Sequence, residues 1–486
     1  MSATFDSRNP ATGEVVGTFP TFGAADVRVV VDEAREAARW WGLIGFKERR
    51  SRLLAWRTLI LDRIDELAEL MHSEVGKPRE DATLEAGLAV AHIDWAAKNA
   101  AKVLGRRGVS SGLLMANHAA SVRYLPYGVV GVIGPWNYPV FTPLGSIVYA
   151  LAAGNAVVFK PSELSPTVGE WLVATFAEIV PEQHVLQLIT GAGPTGAALC
   201  ASGVDKLAFT GSSATGRRVM AACAETLTPV IMECGGKDVA IVDADADLEL
   251  AAQSIAWAGC ANAGQTCIGT ERVYVHEDVY DQVLHRLVEI GRDLEPGIDT
   301  DSPYGPMTLP SQLDVVRRHI DAAIADGGRA VLGGPESVRA PYVDPVVLTD
   351  VPETSVAMTE ETFGPVIVVN KVSSMDEAVR RANASSYGLS AAVFSRSRGE
   401  EVAERLRTGM VAVNSVISFA GIPALPFGGV GESGFGRIHG PDGLREFARS
   451  QAIAKLLIPI PIVVTSFARK PNVVRLFVDI LRRLRG

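Results

Sequence analysis

The chain has 486 residues, of which 48% are hydrophobic and 21% are charged, and its formal net charge is −9. This balance is typical of a folded globular protein and excludes disorder as the main state, and the length predicts about two to four domains. The acidic balance argues against nucleic acid as a partner, because surfaces that bind nucleic acid are usually basic. The five cysteines show no paired short spacings. We therefore expect neither a disulfide framework nor a metal site, and a cytoplasmic protein.

The first predicted elements along the chain are helices. Between residues 24 and 72, apolar side chains recur at steps of three and four, which predicts amphipathic helices. We interpret the arginines of this region as the solvent-facing side: Arg49, Arg50, Arg52, Arg57 and Arg63. Further on, residues 124–159 carry no charge. Prolines and glycines interrupt this run, so it predicts buried strands and a short helix rather than a membrane span.

Short apolar strands then alternate with helical segments, which predicts βαβ units around parallel sheets. A first set of strands is predicted at Val129–Ile133, Ala156–Lys160, Val185–Thr190, Lys206–Thr210 and Val239–Val242. A second set begins near residue 245, with strands at Arg272–Val275, Val366–Asn370, Ala391–Phe394 and Val411–Asn414. Helices are predicted at Thr167–Ile179, at Thr215–Ala224 and around 278–292, 311–326 and 375–383. The pattern indicates an α/β fold with two lobes.

Two glycine-rich loops match the GxGxxG pattern of dinucleotide-binding turns. The loop Gly191–Gly196 follows the strand-like VLQLIT and precedes a helical segment, whereas nothing strand-like precedes Gly429–Gly434. Two matches in one glycine-rich chain make the pattern weak evidence by itself. Lys160 and Glu163, in KPSE directly after a predicted strand, are better candidates for ribose ligands, since α/β sheets bind ligands at the carboxyl ends of their strands. The alternative is that KPSE only caps a helix.

Three further side chains are candidates for covalent chemistry. Cys267 lies in the glycine-flanked loop GQTC, where a thiolate nucleophile would be accessible, although most lone cysteines are buried apolar residues. Glu233 lies between an apolar strand and a Gly-Gly turn, where burial would suit a general base, and a solvent-facing turn residue is the alternative. Asn137 lies between two prolines, and its amide can donate to an oxyanion or simply form a turn.

These motifs together resemble the NAD(P)-dependent aldehyde dehydrogenase superfamily over nearly the whole chain. The matching motifs occur in the family's order: PWNYP at 135–139, KPSE at 160–163, FTGS at 209–212, E-x-GG at 233–236, GQTC at 264–267, E-x-FGP at 361–365, YGL at 387–389, VNS at 413–415 and PFGG at 426–429. Each motif is a weak match alone, but chance similarity in all nine is very improbable. The resemblance implies two Rossmann-like α/β lobes, one cofactor-binding and one catalytic, with a small β oligomerisation arm.

The resemblance also implies roles for single residues. Cys267 would be the nucleophile, Glu233 the general base, and Asn137 with the Cys267 backbone N–H the oxyanion hole. Lys160 and Glu163 would bind the adenosine ribose. The remaining implied cofactor-binding residues are Trp136, Gly211, Ser212 and Gly216 near the pyrophosphate, and Glu361 and Phe363 at the nicotinamide end. Glu163 favours NAD, because a carboxylate repels the 2′-phosphate of NADP, but use of NADP stays open.

The implied reaction is oxidation of an aldehyde to its carboxylic acid through a cysteine thiohemiacetal and a thioester. Gly431 replaces a lysine common in hydrolytic members, and His439-Gly440 follows, which resembles the branch that oxidises fatty and aromatic aldehydes. We therefore expect a hydrophobic aliphatic or aromatic aldehyde. The alternatives are a semialdehyde dehydrogenase such as succinate-semialdehyde dehydrogenase, or a non-catalytic structural homologue. Glu233 argues against a CoA-acylating enzyme, which generally lacks this carboxylate.

We expect four segments: a dinucleotide-binding domain at 1–232 that includes part of the oligomerisation arm near 118–135, a catalytic domain at 233–425, a return segment with an oligomerisation strand at 426–460, and a tail at 461–486. The family resemblance implies a homodimer or homotetramer. The tail has a local charge of +5, with five Arg and one Lys against one Asp. Its predicted helix would align Val473, Phe477, Ile480, Leu481 and Leu484 on one face. Such a basic amphipathic helix can pack within the assembly or contact a membrane surface.

Overall fold

The computed structural model describes residues 3–299, 302–459 and 465–483. Two large β-sheets, each flanked by helices, form separate hydrophobic cores, and a smaller sheet stands apart from both. The predicted α/β class with two lobes is confirmed. The tail positions 461–464 and Leu484, named above, lie outside the described residues.

The first sheet has six strands, and its buried apolar strands are parallel except at one edge. The uncharged run 124–159 supplies the strand Val129–Ile133, all but the last residue of its neighbour Ala156–Lys160, and the buried helix between them, as predicted. The spatial order is Gly434–Phe435, Val230–Cys234, Lys206–Gly211, Val129–Ile133, Ala156–Lys160 and Leu186–Leu188. Strands buried on both faces in this way are near-continuous apolar runs.

The second sheet has seven strands, of which only the first, an edge strand, runs antiparallel to its neighbour. The order is Arg329–Leu332, Val346–Thr349, Val366–Val372, Thr270–His276, Asp238–Val242, Ser390–Phe394 and Met410–Val413. The assignment of Val239–Val242 to the first set of strands is therefore wrong. The three residues 235–237 carry the chain from one sheet to the other, and two equally apolar strands give no sequence signal of that change.

Helices cover both large sheets. Those of the first core are Ala24–Leu43, Gly45–Asp62, Ile64–Val75, Arg79–Leu104, Phe141–Ala153, Pro166–Ile179, Gly193–Cys200, Ser213–Ala224 and Gly440–Glu446. Those of the second are Leu248–Cys260, Tyr280–Arg292, Gln312–Ala325, Val356–Thr359, Met375–Ala382 and Gly399–Glu404. Short 3₁₀ turns occur at Leu113–Met115, Ala261–Gly264, Pro335–Ser337, Ser418–Gly421 and Gly431–Ser433.

One predicted solvent-facing arginine is buried. Arg49 donates to the backbone carbonyls of Trp41, Gly42 and Ala152, which lie at or near the ends of two helices. Burial lowers its pKa to about 10. The periodicity placed Arg49 on the polar face, but unpaired carbonyls at helix ends need a donor, and the guanidinium supplies several.

The third sheet is an antiparallel arm of three strands, in the order Ala448–Leu456, His118–Pro126 and Arg107–Val109. Residues 129–133, also within the segment expected near the arm, belong to the six-stranded sheet. Two hairpins complete the strands: Thr4–Arg8 with Val15–Pro20, and Val338–Arg339 with Tyr342–Val343.

The tail contains a helix, Val473–Arg483, none of whose residues is buried. No helix in the described part of the chain is long and apolar enough to cross a membrane.

Candidate active site

Cys267 lies on a tight loop between the helix Leu248–Cys260 and the strand Thr270–His276. The loop needs backbone in the left-handed region at Asn262 and Ala263, with φ values of 54° and 56°, and at Gly264, with 69°. A side chain on Gly264 would collide with the Gly364 carbonyl group. Of the five cysteines, Cys267 alone is partly exposed. Burial and the nearby carboxylates raise the pKa of its thiol, so the group is protonated at neutral pH.

Glu233 is the second residue from the end of the strand Val230–Cys234 and is only 4% exposed. Neither carboxylate oxygen has a hydrogen-bond partner. Burial raises its pKa well above the usual range, and the charge of Arg437 opposes the shift. Glu233, Cys234 and Cys267 line one cavity of about 20 Å³. An unpaired carboxylate beside a thiol is costly for stability and is typical of a functional site.

Asn137 is held against the Cys267 loop by hydrogen bonds at both of its ends. Its side-chain amide donates to the Gln265 carbonyl over 2.8 Å. Its backbone carbonyl accepts from Lys77 and from the side chain of Asn262, each over 3.0 Å. Lys77 forms a buried ion pair with Glu85, which also accepts the backbone N–H groups of Val140 and Phe141.

The sequence analysis missed four members of this network: Lys77, Glu85, Asn262 and Gln265. All four are buried. Glu85 lies on the buried side of the helix Arg79–Leu104, and Lys77 lies in the link just before that helix. A charged residue at a position where helical periodicity predicts an apolar one is a signal that could have singled out Glu85, because glutamate is almost never fully buried unless it is paired.

An apolar cavity of about 80 Å³ opens on one side of Cys267. Apolar and aromatic side chains form most of its wall: Leu84, Leu88, Tyr138, Phe141, Trp257, Ala261, Ile268, Ile417, Ala420 and Phe427. The polar residues that line it include Asp81, Thr142 and Thr266, with Asn262 and the Lys77–Glu85 pair. None of the described residues that line it is an arginine.

A buried aromatic cluster supports this apolar wall from behind. The rings of His92 and His439 lie 3.8 Å apart between centroids, and the ring of Phe427 lies 5.4 Å from that of His439 at an angle of 59°. His92 contacts the Ala420 carbonyl through Nε2 over 2.9 Å. Burial lowers the pKa of His92 to about 4, so the ring is uncharged at neutral pH.

A larger cavity of about 600 Å³ lies along the carboxyl edge of the six-stranded sheet. Five of the predicted cofactor-binding residues line it: Trp136, Lys160, Glu163, Gly211 and Ser212. Gly193 and Gly196 of the first glycine loop line it too. Gly216 does not, and packs instead behind the cavity, where an added Cβ would lie 3.0 Å from the sulfur of Cys234.

The donor set of this cavity fits a dinucleotide. Lys160 is buried and Glu163 is exposed, so an ammonium and a carboxylate are available for ribose hydroxyls. Burial lowers the pKa of Lys160, while Glu163 opposes the shift. The helix Ser213–Ala224 begins at the cavity with Ser212 as its cap, and its first N–H groups suit a phosphate.

Glu361 and Phe363 lie near Cys267, on a loop of the second lobe. Glu361 accepts the N–H of Gly236 over 2.9 Å, and any side chain on Gly235 would collide with its carboxylate. Burial raises the pKa of Glu361 to about 8. The ring of Phe363 meets that of Trp136 edge-on at 5.7 Å, which brings this loop against the PWNYP segment.

Known proteins resemble this chain in sequence and in structure. Residues 1–453 match the family model described as the aldehyde dehydrogenase family. A 4,4′-diapolycopene aldehyde oxidase from Methylomonas sp is 38% identical over 90% of this chain and 83% of its own length. A putative succinate-semialdehyde dehydrogenase [NADP(+)] 2 from Mycobacterium ulcerans is 37% identical over 91% and 87%.

Among solved structures, an NAD-dependent aldehyde dehydrogenase from Sinorhizobium meliloti superposes with a TM-score of 0.90 and 35% identity, and the match covers 94% of this chain and 93% of that one. This chain therefore belongs to the aldehyde dehydrogenase family and is an NAD(P)-dependent oxidoreductase that acts on an aldehyde group.

Proposed function

We propose that this enzyme oxidises a hydrophobic aldehyde to its carboxylic acid, with Cys267 as nucleophile and Glu233 as general base. The observation that carries the proposal is the shared cavity of Cys267 and the unpaired Glu233 carboxylate. An apolar cavity also reaches Cys267, and a dinucleotide-sized cavity borders the neighbouring PWNYP segment. The thiol and the carboxylate therefore stand where substrate and cofactor meet.

In the first step, the Cys267 sulfur attacks the carbonyl carbon and forms a thiohemiacetal. Because the thiol is protonated at rest, the attack needs proton removal, and Glu233 is the base that shares its cavity. The carbonyl oxygen becomes an oxyanion. Asn137 donates to it with the amide hydrogen that Gln265 does not use, and the backbone N–H of Cys267 donates as well.

The thiohemiacetal carbon then loses a hydride, which leaves a thioester on Cys267. A nicotinamide dinucleotide in the larger cavity would accept that hydride. Lys160 and Glu163 would hold its adenosine ribose, Trp136, Gly211 and Ser212 would border the pyrophosphate, and Glu361 and Phe363 the nicotinamide end. Glu233 releases the thiol proton to solvent and then removes a proton from water, whose oxygen attacks the thioester carbon. The acid leaves, and the Cys267 sulfur regains its proton. The raised pKa of Glu233 makes it a stronger base than a surface carboxylate.

The apolar lining supports a hydrophobic substrate over a semialdehyde. A substrate carboxylate would need a cation, and Lys77 is already paired with Glu85. The relative named for diapolycopene aldehyde fits this reading, whereas the relative named for succinate semialdehyde favours the alternative. Oxidation rates for decanal, benzaldehyde and succinate semialdehyde decide between them, and preference for the last would overturn the hydrophobic assignment.

We also infer that NAD is preferred, because Glu163 at the adenosine end would repel a 2′-phosphate. The relative named for NADP is the reason to test both. Each aldehyde is therefore assayed with NAD and NADP, and Glu163→Gln should raise the NADP-to-NAD ratio of kcat/KM by about tenfold. A higher kcat/KM with NADP in the wild type would contradict the preference.

For the domain organisation we propose that residues 1–232 bind the cofactor, that 233–425 carry the nucleophile, and that 426–460 return to the arm. Exposed apolar residues on and beside the arm support its use between subunits of a homodimer or homotetramer: Val109, Leu113, Met115, Leu456, Leu457 and Ile458. Light scattering of the wild type and of Leu456→Asp checks this, since a charge at the interface should lower the measured mass.

We propose, in addition, that the tail 461–486 contacts anionic membrane surfaces. None of the residues of the helix Val473–Arg483 is buried, and most of its apolar side chains are exposed. Its positive charge complements anionic lipid. The full chain should co-sediment with phosphatidylglycerol vesicles, less with phosphatidylcholine vesicles, and not after deletion of 461–486. Equal co-sedimentation of the deleted chain would refute the contact.

The experiment that tests the main proposal compares Cys267→Ala and Glu233→Gln with wild type. Cys267→Ala should reduce no NAD with any aldehyde. Glu233→Gln should lose steady-state turnover and, if another base removes the thiol proton, accumulate a thioester that mass spectrometry detects on Cys267. Cys260→Ala, at a fully buried cysteine outside both cavities, is the control and should keep activity. Wild-type turnover by Cys267→Ala would contradict the role of Cys267 as the nucleophile.

A further inference from the structure

A buried ion pair outside the residues assigned above holds the loop of Glu361 and Phe363. Lys237 directly precedes the strand Asp238–Val242, and Glu271 is the second residue of the neighbouring strand Thr270–His276. Their side chains form an ion pair and are 1% and 5% exposed. Glu271 lies four residues beyond Cys267, on the strand that the nucleophile loop enters.

The Glu271 carboxylate accepts backbone N–H groups from the loop. Its oxygens lie 2.9 and 3.0 Å from the nitrogen of Thr362, and one lies 2.8 Å from the nitrogen of Phe363. Phe363 has φ of 52°, in the left-handed region that a bulky residue rarely adopts. Such a conformation persists only where its surroundings hold it, and here a carboxylate captures two successive N–H groups.

Three more side chains contact Thr362 of the loop. Lys237 donates to the Thr362 hydroxyl over 3.0 Å, and His319 Nδ1 lies 3.0 Å from that oxygen. Gln312 donates to the Thr362 carbonyl over 2.6 Å. Thr362 therefore has contacts through its N–H, its hydroxyl and its carbonyl, while Glu361 and Phe363 on either side of it remain only partly buried.

A gain in stability does not by itself explain why charged residues occupy these two buried positions. Two charges removed from water are often no more stabilising than apolar side chains of similar volume. An apolar pair could not accept the N–H groups of Thr362 and Phe363, which would otherwise be buried without partners. What the ion pair supplies is therefore a fixed geometry for the loop.

We infer that Glu271, oriented by Lys237, is a positioning residue for the nicotinamide end of the cofactor. The inference rests on the proposed roles of Glu361 and Phe363. Glu271 touches neither substrate nor cofactor: it fixes the backbone on which those two side chains stand. It also connects that backbone to the strand that follows Cys267. The loop of Cys267 and the loop of Glu361 and Phe363 therefore keep a fixed relative position.

The test separates the two ends of the cofactor by measuring affinities for NAD and for ADP, which lacks the nicotinamide riboside. Glu271→Gln, titrated calorimetrically, should weaken NAD binding by about tenfold or more, since hydrogen bonds to a charged acceptor are lost. Its affinity for ADP, which contacts the Lys160–Glu163 end, should stay within about twofold of wild type. Single-turnover NADH formation should slow and show a larger isotope effect with deuterated aldehyde.

Asp243→Asn is the matched control. Asp243 is also buried and paired with an arginine, Arg398, but it follows the strand Asp238–Val242 at the opposite edge of the same sheet. This variant removes the charge of a buried carboxylate whose arginine partner is 48% exposed, and it should change neither affinity. Thr362→Val, which keeps the backbone and loses only the hydroxyl, gives a milder test where Glu271→Gln does not fold, with NAD affinity again the quantity that falls.

Unchanged NAD affinity in the folded variants, or an equal loss of NAD and ADP affinity, would overturn the inference. Failure of the wild-type enzyme to bind NAD would instead refute the proposed function. The two failures are thus distinguished by the wild-type titration.

Discussion

The proposed substrate cavity at Cys267 and the proposed cofactor cavity beside Trp136 differ in size, polarity and wall. The cofactor cavity measures about 600 Å³ and is lined by glycines, by apolar side chains and by three charged ones, Lys160, Glu163 and Arg218. The substrate cavity measures about 80 Å³ and is lined by bulky apolar side chains from helices and loops far apart in sequence. The cofactor cavity therefore depends on a few local motifs, whereas the substrate cavity depends on packing between segments that are distant in the chain.

The largest effect is expected at Asn137, whose chain neighbours Trp136 and Tyr138 line the cofactor cavity and the substrate cavity, respectively. Asn137→Ala removes the side-chain donor proposed for the oxyanion and should lower kcat by about 10²–10³-fold, the usual loss for one such donor. Because Asn137 also binds the Gln265 carbonyl, Asn137→Asp is the second variant: it keeps the size and loses the amide donor. Stopped-flow measurement of NADH formation, with unfolding midpoints as the fold control, checks the prediction. A loss below tenfold in both variants would contradict the proposed role.

A smaller effect concerns the KM of the aldehyde, which should depend on the length of its chain. Burial of one methylene contributes about 0.8 kcal/mol, so KM should fall about fourfold per added carbon until the apolar cavity is filled. Leu84 lines this cavity and is 51% exposed at its mouth. Leu84→Asp should raise KM for long-chain aldehydes by about tenfold and leave that of acetaldehyde and of NAD unchanged.

Leu61→Asp provides the comparison for that variant. Leu61 is 44% exposed on a helix surface and lines neither cavity. It should leave every KM unchanged. Equal effects of the two variants on long-chain aldehydes would show that a new surface charge, rather than the cavity mouth, is responsible.

The same contrast explains how much the sequence could predict. Alternating apolar strands and helices predicted the α/β lobes, because local burial patterns encode them. Lys160, Glu163 and Trp136 could be named in advance because short contiguous motifs carry them. Glu85 and His92 could not, since their contacts join residues that lie 55 and 328 positions apart in the chain. Arg49 was misjudged for the same reason: its partners are carbonyl groups, which have no sequence signature.

The last predicted effect concerns stability rather than rate, and it arises behind the wall of the substrate cavity. In the folded chain the pKa of His92 is lowered from 6.5 to about 4, mainly by burial. Because the pKa is lower in the folded chain, the unfolded chain binds the proton at a higher pH than the folded chain does. The free energy of unfolding is therefore not reduced by His92 above pH 6.5. It falls by about 3 kcal/mol as the pH decreases from 6.5 to about 4.

His92→Gln should flatten the dependence of the unfolding midpoint on pH between 6.5 and 4. The amide keeps a donor for the Ala420 carbonyl and does not titrate. His319, whose pKa is also lowered to about 4 by burial, stays in place, so part of the slope remains. Since Ala420 lines the substrate cavity and not the cofactor cavity, acid should raise KM for long-chain aldehydes before that for NAD, and the opposite order would mean that His92 does not support the apolar wall.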